Sequence, residues 1–173
     1  MGKNNPTRMT AEPKVQEIVI TRIFDAPREQ VWKAWTEPEL FMKWWGPKDF
    51  TAPVCKMNLR VGGEYFWCMR GAGPDGVVRD FCNSGQYLEI VPNEKIAVSM
   101  SFADDQADPV PASFYGMPGE WPMEVTLAVT FEKIEGGKTR MTVRQDGIPG
   151  EMTEMSRLGW EQSLDKLAEA LSN

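Results

Sequence analysis

The chain has 173 residues, 42% of them hydrophobic and 25% charged, with a net charge of -6 and no histidine. That length suits one globular domain able to bury a sizeable core. The acidic balance, with no Lys/Arg cluster, argues against nucleic acid as a partner, and the missing histidine removes Ser-His-Asp and Cys-His nucleophilic chemistry together with the commonest transition-metal ligand.

Residues 1–13 are polar and include Pro6 and Pro13, the composition of a disordered tail ahead of a domain spanning 14–173. Neither this opening nor any later stretch holds a signal-type apolar run or the roughly 20 apolar residues of a spanning helix, so a cytoplasmic protein without membrane contact is expected. "VQEIVITRIFDA", 15–26, reads as a strand. Pro27 then suits the first turn of a helix whose Val31, Ala34 and Trp35 form an i, i+3, i+4 stripe. Thr36-Glu-Pro-Glu-Leu ends it and starts a second short helix carrying Leu40, Phe41 and Trp44.

Strands are predicted at 51–60, 64–70, 80–91, 94–102, 124–134 and 139–145, separated by turn signals such as "GPDG" (73–76) and "EGGK" (135–138). Short turns between successive strands imply an antiparallel meander. After Met152 the period changes: Trp160, Leu164, Leu167 and Leu171 recur at helical spacing, with Gly159 and Ser163 as small residues beside the stripe. Those two either admit close approach of helix to sheet or leave room for a ligand. The long helix is the only large apolar element available to cover the sheet. The expected architecture is α+β, a curved antiparallel sheet of six or seven strands wrapped around a long C-terminal helix, with two short helices after the first strand.

Cys55, Cys68 and Cys82 are odd in number and lack a Cys-x-x-Cys pair, so they read as reduced core thiols rather than a disulfide framework or zinc site. Asp104, Asp105 and Asp108 lack EF-hand spacing and read as a solvated loop. Glu64, at a strand start, either projects into the interior as a general base or lies on the surface. No catalytic residue, metal or cofactor is assigned.

The blocks "RIFDAPREQVWKAWTEPELFMKWWGP" (22–47), "LRVGGEYFWCMRGAGPDG" (59–76), "GQYLEIVPNEKI" (85–96), "VTFEKIEGGKTRMTV" (129–143) and "GWEQSLDKLAEAL" (159–171) resemble homologues of the activator of the ninety-kilodalton heat-shock protein ATPase. These form part of the START/SRPBCC helix-grip superfamily. The resemblance implies a helix-grip fold with an apolar space between sheet and terminal helix. Larger relatives carry an additional N-terminal chaperone-binding domain; only 13 or so polar residues precede the first strand here, so chaperone activation is not expected.

The aromatic and sulfur residues supply the site candidates. Trp44 and Trp45 stand before the Gly46-Pro47 turn, where they either plug the core or border a cavity mouth; Tyr65, Trp67 and Met69 share one face of a strand, with Phe66 and Cys68 on the other. With Gly159 and Ser163, these are the candidate cavity residues. The leading expectation is binding of a small hydrophobic or aromatic ligand. The alternatives are an enzyme of cyclase, dehydratase or hydrolase type on a hydrophobic substrate, and a chaperone-regulating interaction module; homodimerisation stays open.

Overall fold

The computed structural model describes residues 15–173, so the expected tail at 1–13 lies outside the described residues. Seven strands form one sheet: β1 (Val15–Phe24), β2 (Thr51–Met57), β3 (Glu64–Ala72), β4 (Val78–Val91), β5 (Lys95–Ala103), β6 (Val125–Ile134) and β7 (Lys138–Pro149). Their order is β1-β7-β6-β5-β4-β3-β2, and every neighbouring pair is antiparallel. The meander therefore runs from β2 to β7, and β1 closes it beside β7. Helices α1 (Arg28–Thr36) and α2 (Pro38–Phe41) follow β1, and α3 (Thr153–Leu171) ends the chain.

Period-2 burial follows from residue type. Ile18, Ile20 and Phe24 of β1, Leu127, Val129 and Phe131 of β6, and Met141 and Val143 of β7 all point into the core. On α3, Trp160, Leu164 and Leu167 are buried at helical spacing. Arg22 of β1 fixes the helix from outside, its guanidinium donating to Glu161 at 2.6 Å and Asp165 at 2.9 Å.

Two expectations are corrected. The helix α3 does not cover the sheet alone: it packs on β1, β7 and α1, while α1 packs on β6 and β7 and α2 on β2. A helix is about 10–12 Å across, whereas seven strands at about 4.8 Å span roughly 29 Å, so one apolar stripe is too narrow. Trp35, Phe41, Trp44 and Trp45 supply the missing cover, each worth roughly 1.5–3 kcal/mol or more when buried.

Nor are all three cysteines reduced thiols. Cys68 and Cys82 form a disulfide between β3 and β4, with Cα atoms 4.0 Å apart, while Cys55 is free. The register explains it, since the two residues stand directly opposite each other across the hairpin. Cys68, Cys82 and Ala103 form a small cluster separate from the main core, packed by Val54 and Phe66.

Candidate functional site

A cavity of about 450 Å³ lies on the concave face between the first half of α3, strands β3 to β5 and the segment joining β5 to β6. The turn after α2 and Gln145 of β7 also wall it, and several of these segments are held in place by separate interactions. The turn after α2 is one. Gly46 there has φ +103°, and a Cβ would sit 3.1 Å from Phe50 Cβ and 3.3 Å from Met69 Cβ, so a side chain at this position is strained on both counts. The Lys166 ammonium of α3 donates to the carbonyls of Gly46, Pro47 and Phe50 at 2.9, 3.1 and 2.9 Å, tying the turn to the helix. Partial burial lowers the Lys166 pKa from its ordinary value, with Asp49 acting in the opposite sense.

The β5–β6 segment, 104–124, forms the opposite wall. Tyr115, in a single 3-10 turn (Ala112–Tyr115), anchors it: its hydroxyl donates to the Ala103 carbonyl and accepts from the Cys82 backbone N–H at 3.2 Å. Asp104 closes the start of the segment by accepting the backbone N–H groups of Gln106 and Asp108 at 2.9 and 3.0 Å. Trp121 is held by its indole N–H on the Pro118 carbonyl at 2.9 Å. Asp104 is thus an organiser of the loop.

The lining chemistry is narrow. Six methionines, Met69, Met100, Met117, Met123, Met152 and Met155, face the cavity out of eleven in the chain. Six aromatic residues, Trp45, Phe50, Phe81, Phe102, Trp121 and Trp160, join them. The polar lining residues are Asn83, Ser101, Gln145, Ser156, Gln162 and Ser163; among the described residues no Asp, Glu, Lys, Arg, Tyr or Cys lines the space. At the rim Met123, Met155 and Leu158 are 51%, 57% and 57% exposed, giving the mouth an apolar border.

Of the seven candidates read from the sequence, Trp45, Met69, Gly159 and Ser163 line this cavity and Trp44, Tyr65 and Trp67 do not. Trp44 is fully buried, with its indole N–H on the Ala34 carbonyl at 2.9 Å and its ring 4.8 Å from Trp35. Trp67 packs between Phe41 and Trp45 at 4.7 and 4.9 Å. Tyr65 stacks on Trp67 at 3.9 Å and donates to the Ser99 carbonyl at 2.6 Å; burial, then Tyr87 and Glu124, pushes its pKa well up. Of the paired tryptophans one therefore plugs the core and the other borders the cavity. Glu64 is exposed and outside the cavity, so it is no interior base.

Met100, Met117, Trp121, Met152 and Met155 were missed. Their segment ends and loops carry no hydrophobic period; the one signal available was the density of methionine itself.

No helix among the described residues is long and apolar enough to cross a membrane. A family model described as Activator of Hsp90 ATPase homolog 1-like protein matches residues 25–172. Among solved structures, a crystal structure of a Chromobacterium violaceum protein is 29% identical with a TM-score of 0.72, over 91% of this chain and 98% of that one. A solution structure of an Arthrobacter aurescens protein is 26% identical with a TM-score of 0.70, over 91% of this chain and 86% of that one. A Silicibacter pomeroyi protein, 21% identical with a TM-score of 0.67 over 90% of this chain and 97% of that one, shares the fold. No curated protein matches the chain significantly.

Proposed function

The chain belongs to the Activator of Hsp90 ATPase homolog 1-like family, and from that membership and the chemistry of the cavity wall we propose that it binds an uncharged, largely apolar small molecule between the sheet and α3. The observation that carries this reading is a space of about 450 Å³ lined by methionine, aromatic and neutral polar side chains, with no charged group among the described residues. The volume falls within the roughly 300–1,000 Å³ of small-molecule pockets. Burying an unpaired charge in such a wall is costly, so the site selects against ions. Unbranched thioether side chains adjust their rotamers to an irregular ligand, which favours a class of related molecules over a single one.

Acid–base catalysis has little support in this space. A general acid or base needs a titratable side chain within reach of the substrate, and the chain has no histidine while the described wall has no Asp, Glu, Lys, Tyr or Cys. Binding or carriage is the reading that these residues favour over catalysis.

The test compares two fluorescent probes with one skeleton, N-phenylnaphthylamine and its sulfonated form, anilinonaphthalene sulfonate. Saturable binding of the neutral probe with one site per chain, and at least tenfold weaker binding of the sulfonate, is the expected result. Equal affinity for both, or no saturable binding of the neutral probe, contradicts the proposal.

A further inference from the structure

Two side-chain amides on the cavity wall are locked in opposite senses. Gln145 of β7 accepts the Trp160 indole N–H at its Oε1, 2.7 Å away. An indole nitrogen only donates, so this contact fixes which end of the Gln145 amide is the oxygen and leaves the NH₂ group as the end available to the cavity. Asn83 of β4, 9% exposed, donates from its Nδ2 to the Ser101 carbonyl at 3.3 Å. A carbonyl only accepts, so here the NH₂ group is engaged and the Oδ1 remains as an acceptor. No described residue donates to Asn83 Oδ1 or accepts from Gln145 Nε2 through a side-chain contact.

Both residues belong to the concave face. Asn83 stands opposite Trp67 in β3 and Phe102 in β5, and Gln145 stands opposite Leu127 in β6. Strands β5 and β6 lie between them. Three strand spacings of about 4.8 Å make roughly 14 Å across the sheet. Because Gln145 aligns through Leu127 and Val98 with Tyr87, four residues from Asn83, the two also stand about 13 Å apart along the strands, so a ligand bridging them lies diagonally across the sheet. On the two strands between them, Met100, Ser101, Phe102 and Val125 line the wall.

We infer that Asn83 and Gln145 orient the ligand end to end: a ligand hydroxyl or N–H donates to Asn83 Oδ1, a ligand carbonyl accepts from Gln145 Nε2, and an elongated uncharged ring system fills the space between. This rests on the cavity-binding reading above. The pair makes the cavity prefer molecules with a donor at one end and an acceptor at the other; the reversed arrangement is rejected at Asn83, where a ligand carbonyl would face another acceptor, and at Gln145 for a ligand N–H, which would face another donor.

The test is displacement of N-phenylnaphthylamine by 2-ethylnaphthalene, 2-naphthol, 2-acetylnaphthalene and 6-acetyl-2-naphthol, whose polar ends lie on opposite rings. In Asn83→Leu, 2-naphthol and 6-acetyl-2-naphthol lose about fivefold relative to 2-ethylnaphthalene while 2-acetylnaphthalene does not. In Gln145→Met, 2-acetylnaphthalene and 6-acetyl-2-naphthol lose about fivefold and 2-naphthol does not. Gln145→Glu, assayed at pH 8, keeps an oxygen for the Trp160 indole and should show the same loss, which separates ligand contact from a disturbed Trp160. If the fluorescent probe binds but the four competitors keep one ranking in all four proteins, the amide pair is overturned and the cavity reading stands. If the probe fails to bind the unaltered protein, both fall.

Discussion

Where α1 and α2 cover the concave face, Trp35, Phe41, Trp44 and Trp67 pack ring on ring, and the void bordered by Trp35, Trp67 and Tyr87 is about 10 Å³. Where α3 and the 104–124 segment cover the same face, the space is about 450 Å³. The packed half uses large rigid rings whose burial itself provides the stability. The hollow half has less of that burial, and its walls are fastened individually: β3 to β4 by Cys68–Cys82, the loop by Tyr115, the Gly46 turn by Lys166 and α3 by Trp160 on Gln145. A cavity in a small domain persists when what surrounds it is held by contacts that do not need the cavity filled.

The sharpest way to break this contrast is to empty the packed half. Trp44→Ala removes a fully buried indole and should cost about 3–5 kcal/mol in denaturant unfolding. Met155→Ala, at the exposed rim, should stay within about 0.5 kcal/mol and alter only probe affinity. Comparable losses at both sites would erase the distinction.

Next in size is the disulfide. Cys68 and Cys82 are 14 residues apart, so reduction should lower stability by about 3 kcal/mol through the freed chain entropy of the unfolded state. Because Met69 and Phe81, the adjoining residues, line the cavity, reduction should also weaken probe binding. Unchanged affinity in the reduced protein, with its unfolding midpoint lowered, would show that the strand pair does not shape the wall.

Alkali should act mainly through the packed half. Burial pushes the Cys55 thiol from 9.0 up to about 12 and raises the pKa values of Tyr65 and Tyr87. A folded-state pKa above the unfolded one means that the stabilisation is whole below about pH 9 and is lost as pH climbs towards 12. Lys166 has the opposite sign: its lowered pKa penalises the charged form, and that cost is relieved as pH approaches 10.5. Burial raises the pKa of Tyr115 in the loop in the same sense, so four groups oppose one and the urea midpoint should fall steadily above pH 9; a midpoint that is flat or rising to pH 11 contradicts the burial assigned to them.

The smallest expected effect on stability is in the hollow half. At Gly159 an added Cβ meets only Pro47 Cγ, at 3.5 Å. Gly159→Leu should therefore leave stability unchanged or raise it by up to about 1 kcal/mol through helix propensity, while its side chain displaces the probe. A loss of 1–3 kcal/mol, the range for overpacking, would mean that the space is already full.

Much of the fold was legible because periodicity reports burial: the strands, α1 and the stripe of α3 all follow it. The cavity was legible only in part, since a void leaves no period in a sequence. The family resemblance implied the space, and Trp45, Met69, Gly159 and Ser163 do line it, but Tyr65 and Trp67, which share a face with Met69, end against other rings, Trp67 against Phe41 and Trp45 and Tyr65 against Trp67. The disulfide was recoverable. A hairpin turning at "GPDG" pairs Ala72 with Val78, and counting back four residues on each strand reaches Cys68 and Cys82; cysteine number and spacing alone hid what the register revealed.

Methionine methyl groups report on both halves at once, which makes ¹³C-methyl NMR during a titration with N-phenylnaphthylamine the most direct test of a hollow half that binds and a packed half that does not. The cavity methyls of Met69, Met100, Met117 and Met152 should shift and saturate together, while Met141, whose sulfur accepts the Trp35 indole N–H at 3.3 Å within the packed half, stays in place. A Met141 shift as large as theirs, or a titration in which the four cavity methyls stay silent, would contradict the account.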